Sequence, residues 1–173
     1  MKIIIAAVFA VLLFQCITMA QQSKPLPTLK QAMEMDHKGK HADAVEAIKR
    51  IINEGPETKR EHAYVDLGFV YFRDGDFDNA LKGFSKAIEL KKDNPLSYYF
   101  IGLIYEKKAL STSKPELIKE MKIKALEAWQ EYLKYVTSPK IIPSEAHKYI
   151  GITVKEGIKR AKNHVEMLQE GLQ

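Results

Sequence analysis

The sequence predicts an all-α fold, and three observations support this prediction. From Thr28 onward apolar residues recur at helical spacing, and no segment alternates between polar and apolar residues as a strand does. Helix-start signals separate these segments, as at Asn94-Pro95, where a good N-cap precedes a proline suited to the first helical turn. Gly68 and Gly102 lie 34 residues apart in the similar contexts AYVDLGFVYF and SYYFIGLIYE. This spacing indicates a repeated pair of helices.

The first residues of the chain differ from the rest. MKIIIAAVFAVLLFQCITMAQQ has one lysine, then an apolar run over residues 3–14, then small residues ending at Ala20. This order is typical of a secretory signal peptide, and the apolar run is short for a transmembrane span. We therefore expect residues 1–20 to be a signal peptide and residues 21–27 a linker. The mature protein would be exported, either to the periplasm or to the extracellular space.

The single cysteine, Cys16, leaves alternatives open. A bacterial lipoprotein is cut just before a cysteine that follows an apolar run, and that cysteine is acylated. Lipoprotein signals prefer a small residue before the cysteine, whereas Gln15 and Phe14 stand here. An uncleaved segment would instead act as an anchor. Cleavage after Ala20 leaves no cysteine, which excludes disulfides, thiolate metal sites and thiol nucleophiles.

Helix starts are marked by several side-chain patterns after the linker. Three capping boxes are predicted: Thr28 with Gln31, Thr58 with Glu61, and Ser113 with Glu116. Ser144-Glu145, just after Pro143, begins the last predicted helix, which runs over residues 144–169.

The stretch RDGDFDNALKGF raises the question of a calcium site, because three aspartates stand at alternate positions from Asp74. An EF-hand loop needs glycine at its sixth position and a bidentate glutamate at its twelfth. Asn79 and Ser85 occupy those positions. We therefore predict no metal site and interpret the stretch as a turn between two helices. Gly75 would make the bend, and Asp76 or a neighbour would cap the second helix.

Residues 61–94 carry a regular spacing of large, small and aromatic residues. The marker positions are Tyr64, Leu67, Gly68 and Tyr71 in the first helix and Ala80, Phe84 and Ala87 in the second. This pattern resembles the tetratricopeptide repeat (TPR), a helix–turn–helix unit of 34 residues. The family places small residues such as Gly68 and Ala80 where the two helices approach most closely.

The resemblance extends in weaker form over most of residues 28–173. A first repeat covers about residues 25–58, and a third covers 95–138 if 11 residues are inserted near 107–117. We expect the insertion to lengthen both helices of the third repeat by about a turn and a half, so that this hairpin projects. The resemblance implies a TPR-like α-solenoid of about three helix–turn–helix repeats, closed by the C-terminal capping helix.

The resemblance also implies a binding surface, because TPR proteins usually hold peptides or partner proteins in a concave groove lined by the first helices. The predicted groove residues are Met33, Val65, Phe69, Phe72, Arg73, Tyr99, Leu103, Lys107, Lys148 and Ile152. The lysine and asparagine with which chaperone-binding members hold a carboxylate are absent. An apolar groove with a basic end suits an amphipathic helix or an extended hydrophobic peptide. Alternatively, several of these residues are buried between repeats.

Charge is mixed along the 173 residues, whose net charge is +5. An exported protein meets little nucleic acid, so we expect no nucleic-acid partner. Anionic envelope polymers, lipid headgroups and acidic protein surfaces fit a basic chain better. A basic run lies on the projecting hairpin: Lys107, Lys108, Lys114, Lys119, Lys122 and Lys124. Glutamates interrupt this run, which favours a solvated face. The alternative is peripheral contact with an acidic membrane, weakened by salt.

Catalytic patterns have little support. His37 and His41 are separated by Gly39 at an expected turn, and no glutamate follows His37 as an HExxH motif requires. The serines lack a nucleophile-elbow context, and no glycine loop suited to phosphate is present. We therefore expect a non-enzymatic scaffold or adaptor without a cofactor. A membrane-tethered assembly factor and a homo-oligomer stacked through its ends are the alternatives.

Overall fold

Antiparallel helical hairpins lie side by side in the computed structural model, which describes residues 25–138 and 153–172. The helices are α1 (Leu29–His37), α2 (His41–Glu54), α3 (Arg60–Asp74), α4 (Phe77–Leu90), α5 (Pro95–Leu110), α6 (Pro115–Val136) and α7 (Val154–Glu170). A short 3-10 turn, Glu57–Lys59, connects α2 to α3. These described residues contain no strand, and the predicted all-α fold is confirmed.

Packing follows chain order. Three hairpins are formed by the helix pairs α1–α2, α3–α4 and α5–α6. Each hairpin packs against the next. Helix α1 also contacts α3, and α3 contacts α5, so the first helices of the three hairpins adjoin one another. Helix α7 packs against α6. Residues 144–152, where the capping helix is predicted to begin, lie outside the described residues.

The turn of the second hairpin has the predicted construction. Gly75 adopts the left-handed conformation with φ +82°, which favours glycine because a side chain would clash with its own backbone. Asp76 then caps α4: its Oδ1 accepts a hydrogen bond from the backbone N–H of Asn79 at 3.1 Å. That bond, helped by one from the Asn79 side chain, lowers the pKa of Asp76. The acidic turn is therefore explained by helix capping.

Two predicted helix starts are confirmed. Thr28 and Gln31 form a reciprocal capping box at α1. Asn94 caps α5 by accepting a hydrogen bond from the backbone N–H of Ser97 at 3.0 Å, and Pro95 occupies the first turn.

Two other predicted capping boxes are wrong. Thr58 lies within the 3-10 turn, so α3 begins at Arg60 without a side-chain cap. Glu61 instead accepts a hydrogen bond from the side chain of Asn94. Pro115 begins α6, which leaves Ser113 one residue too early to serve as the N-cap.

Glycines set the closest helix approach in the second hairpin. A Cβ added to Gly83 would lie 2.8 Å from the Cα of Gly68, closer than real Cβ contacts. The sequence predicts Gly68 and Ala80 at this approach, whereas the structure shows that Gly83 is the residue opposite Gly68. In the third hairpin Gly102 lies beneath Trp129, where a Cβ would be 2.7 Å from the indole. The second hairpin has the same arrangement, because a Cβ on Gly68 would lie 2.9 Å from the Phe84 ring.

The extension of the third hairpin lies almost wholly in one helix. Helix α6 has 22 residues against 14 in α4, whereas α5 has 16 against 15 in α3. With Phe84 and Trp129 taken as equivalent, α6 begins seven residues earlier than α4, a length of roughly 10 Å. The prediction that both helices lengthen equally is wrong, because α5 ends at Leu110 and the inserted residues restart as helix at Pro115.

Candidate partner-binding face

The first helices α1, α3 and α5 adjoin one another and carry the predicted groove residues in a regular order. Each contributes an apolar residue followed one turn later by a basic one or a histidine: Met33 with His37, Phe69 with Arg73, and Leu103 with Lys107. Residues four apart share a face of a helix. We call the surface formed by these six residues and Phe72 the first-helix face.

The apolar members of the first-helix face are half-buried. Met33 packs partly against the core of the first two hairpins, and Phe69, Phe72 and Leu103 pack partly against the larger core of the second and third. Each therefore keeps some surface for a partner.

Two predicted groove residues lie beneath this face. Val65 is 5% exposed and Tyr99 is 4% exposed. The Tyr99 ring makes edge contacts with Trp129 at 5.0 Å and Tyr132 at 5.3 Å between ring centroids. Burial also raises the pKa of the Tyr132 hydroxyl. Val65 and Tyr99 therefore leave almost no surface for a partner, because side chains of the adjoining helices fill the space around them.

An aromatic cluster supports Phe69 and Phe72 from below. The ring of Phe100, which is almost fully buried, lies 5.4 Å from Phe69, 5.0 Å from Phe72 and 5.2 Å from Phe84. Phe72 also contacts Phe77 at 5.9 Å. Such edge and stacked contacts restrict side-chain rotation, so the two phenylalanines present a rigid apolar surface.

Arg73 is committed to an interaction within the protein. Its Nη1 donates a hydrogen bond of 2.7 Å to Oδ2 of Asp36, a carboxylate with no exposed surface, and lies 3.1 Å from Nδ1 of His37. The other oxygen of Asp36 lies 2.5 Å from Nδ1 of His41. The arginine also lies over the Phe69 ring, 5.9 Å from its centroid. Asp36 thus neutralises Arg73, which joins the first hairpin to the second.

Asp36 was missed by sequence reasoning. It shares the buried side of α1 with Ala32, one turn earlier, where a carboxylate needs a charged or hydrogen-bonding partner. An aspartate on the buried side of a helix was the sequence signal that could have revealed this ion pair. Lys107, by contrast, is exposed and forms no ion pair with the residues that the structure describes. It is the available positive charge of the first-helix face.

A second polar group joins α7 to the third hairpin. Nε1 of Trp129 donates a hydrogen bond of 2.7 Å to Oε1 of Glu106. The His164 ring stacks on the indole at 4.6 Å, and its Nδ1 lies 2.8 Å from the same carboxylate oxygen. These contacts place α7 beside the third hairpin. The predicted groove residues Lys148 and Ile152 lie outside the described residues.

No group of three or more histidine, cysteine, aspartate or glutamate side chains within residues 25–138 and 153–172 could hold a metal ion. Among the same residues, no helix combines the length and apolar character required to cross a membrane.

Comparisons with known proteins agree with this architecture. Residues 68–108 match the family model described as TPR repeat. The solved structure titled "Crystal structure of MamA" is similar, with a TM-score of 0.51 and 24% sequence identity, over 82% of this chain and 74% of that one. A comparison with curated protein sequences found no match. At this identity the structural similarity concerns the fold alone. The packed helical hairpins of the described residues therefore form an all-helical, TPR-like fold.

Proposed function

We propose that this protein is an exported, non-enzymatic TPR scaffold that holds a protein or peptide partner on its first-helix face. One observation carries the proposal: three adjoining helices each present an apolar residue followed one turn later by a basic one or a histidine. The apolar row, with Lys107 as the available positive charge beside it, matches a partner that has an apolar side and an acidic residue.

An amphipathic helix or an extended hydrophobic peptide has this chemistry. Its apolar side chains would cover Phe69 and Leu103, and an acidic residue would pair with Lys107. The aromatic cluster below Phe69 orders this surface before binding, so the main entropic cost falls on the partner.

The test removes the two central apolar side chains of the face, which are half-buried and pack partly against the core. In Phe69→Ser/Leu103→Ser, we expect at least about a tenfold loss of partner affinity, since each side chain would bury apolar area on binding. Affinity capture from an envelope extract identifies the partner, and titration calorimetry then measures the affinity of that partner. Far-UV circular dichroism establishes that the variant remains helical.

A matched control separates this face from general apolar exposure. Leu90 and Met167 are exposed apolar residues, 52% and 54% accessible, outside the first-helix face. Leu90→Ser/Met167→Ser should bind the partner like the unmodified protein. Equal affinity of the Phe69/Leu103 variant and the unmodified protein would rule out the proposed face.

The export route has its own test, because acylation of Cys16 would make the protein a membrane-tethered assembly factor. Intact mass of the protein from its native envelope distinguishes a chain that begins at Gln21 from one with a lipidated Cys16. Self-association through the ends of the stack is the remaining alternative, which light scattering over a range of concentrations detects. Peripheral membrane contact, the other predicted partner class, concerns a different surface, at the end of the third hairpin.

A further inference from the structure

Most of the net positive charge of the chain lies at the end of the third hairpin. Residues 107–124, which we call the hairpin tip, contain six lysines and two glutamates, and so carry four of the five net positive charges of the protein. The early start of α6 extends this tip by roughly 10 Å relative to the second hairpin. The remaining residues are nearly balanced, so the positive field of the protein originates mainly here.

The hairpin tip also exposes apolar side chains. Leu110, the last residue of α5, is 88% exposed, the highest value among the exposed large apolar residues of the described chain. Leu117 and Ile123 on α6 are also exposed, at 37% and 40%. Exposed leucines are unremarkable singly, but here three large apolar residues lie among lysines at one end of the molecule.

The lysines of the hairpin tip fall into two groups. Lys108 pairs with Asp78, Lys124 with Glu120, and Lys122 donates a hydrogen bond to the carbonyl of Gly171. Lys114 and Lys119 are exposed and form no ion pair with any described residue. Lys107 shares this property but belongs to the first-helix face.

Acidic groups near the hairpin tip have other roles. Asp76 and Asp78 line a cleft of about 410 Å³ between the second hairpin's turn and α6, and Asp78 neutralises Lys108 on that side. Glu116 lies in the first turn of α6, where a carboxylate favours the helix dipole. The unbalanced positive charge therefore lies at the loop and the start of α6.

We propose that the hairpin tip docks on the surface of an anionic lipid bilayer. Leu110 enters the boundary between headgroups and acyl chains, and Lys114 and Lys119 contact lipid phosphates. A soluble polyanion would satisfy the lysines but would leave Leu110 in water. A bilayer interface supplies phosphates and an apolar phase side by side, which matches both features.

The test places a probe at the apolar end of the hairpin tip in the full-length chain. Trp129 is the single tryptophan and is fully buried, so the variant Leu110→Trp adds one exposed reporter. Vesicles are made of equal parts phosphatidylglycerol and phosphatidylcholine, with bromine atoms on the acyl chains. We expect bromine to quench the new tryptophan. Quenching should disappear with phosphatidylcholine alone and weaken as salt rises from about 50 to about 500 mM.

A matched control removes any contribution from other parts of the chain, including the apolar N-terminal segment. Leu90 is the last residue of α4, as Leu110 is of α5, and it is also exposed. The variant Leu90→Trp should show no quenching, even if another segment binds the vesicle. Equal quenching at both positions, or none at Leu110→Trp, would overturn the proposal.

The role of charge is tested in the same Leu110→Trp background. Lys114→Gln/Lys119→Gln should raise the lipid concentration needed for half-maximal quenching about 25-fold, at about fivefold per lysine. The exposed pair Lys91 and Lys92 provides a control with the same loss of charge, and Lys91→Gln/Lys92→Gln should change this concentration less than twofold. Equal effects of both pairs would show that binding responds to net charge alone. That result would contradict a defined docking site at the hairpin tip. Capture of soluble polyphosphate without bromine quenching would reassign the lysines to a soluble polyanion and also overturn the proposal.

Discussion

Successive hairpins of this protein are joined by two different kinds of contact. We call the contact between the first and second hairpins the first junction. There the buried carboxylate of Asp36 accepts a hydrogen bond from Arg73 and lies beside His41. The contact between the second and third hairpins is the second junction. There Phe100 packs among the rings of Phe69, Phe72 and Phe84. The first junction adds this polar, directional contact to an apolar core shared by the first two hairpins, whereas the second is apolar and non-directional.

The difference bears on stability and on register. Burial of an aromatic ring stabilises in proportion to the area removed from water. A buried ion pair gains less, because its attraction must offset the cost of removing both groups from water. Its geometry does, however, accept only one arrangement of the helices. We therefore expect the second junction to contribute more free energy and the first junction to determine how α1 sits against α3.

The largest expected effect comes from breaking the second junction. Phe100→Ala should lower the free energy of unfolding by about 4 kcal/mol, because it leaves a cavity among three rings. Since hairpins in a stack are coupled mainly to their neighbours, the third hairpin should also unfold separately. Urea denaturation tests this with two signals: far-UV circular dichroism reports all helices, whereas fluorescence of Trp129, the single tryptophan, reports α6.

The two signals should coincide in the unmodified protein and separate in Phe100→Ala. Phe100→Leu, which retains most of the apolar volume, provides the control and should keep one transition with a loss of about 1–1.5 kcal/mol. Coincident transitions in Phe100→Ala would show that the second junction does not couple the hairpins.

A smaller effect is expected at the first junction. Asp36→Asn removes the charge at nearly constant shape and should cost about 2 kcal/mol, typical of hydrogen bonds to charged groups. The cost stays below that of a fully buried broken pair, because the Arg73 side chain is 34% exposed and can be hydrated. The circular dichroism transition should move to lower urea, whereas the Trp129 transition should move less.

Asp43 supplies the matched control for this substitution. It is an exposed acidic residue in the first turn of α2, within the same hairpin as Asp36. Asp43→Asn should change the free energy of unfolding by less than about 0.5 kcal/mol. An equal loss in the two variants would mean that general charge, rather than the first junction, sets the stability of this hairpin.

The second junction could be predicted from the sequence, whereas the first could not. Aromatic and small residues at repeat spacing predict an apolar stack, because packing depends on size and periodicity. Asp36 and Arg73 are 37 residues apart, and their pairing depends on how two helices are rotated. Spacing alone does not specify that rotation.

The first-helix face was likewise predictable from the sequence only in part. Sequence spacing placed Phe69, Arg73 and Lys107 on first helices, which the structure shows to be adjoining. It did not separate them from Val65 and Tyr99, because exposure depends on the side chains that neighbouring helices supply. Trp129 and Tyr132 surround Tyr99, and Asp36 neutralises Arg73. Both effects require the three-dimensional arrangement.

The contact between α6 and α7 combines ring stacking with a polar contact, and its ring-retaining variant has the smallest expected effect on the free energy of unfolding. His164 both stacks on Trp129 and places Nδ1 2.8 Å from Glu106. His164→Phe keeps a stacked ring and removes the nitrogen, so it should cost less than about 1 kcal/mol. His164→Ala removes both and should cost about 2 kcal/mol. Urea titration of Trp129 fluorescence separates them: equal losses would assign the contact to the Glu106 interaction, whereas recovery in His164→Phe would assign it to ring stacking.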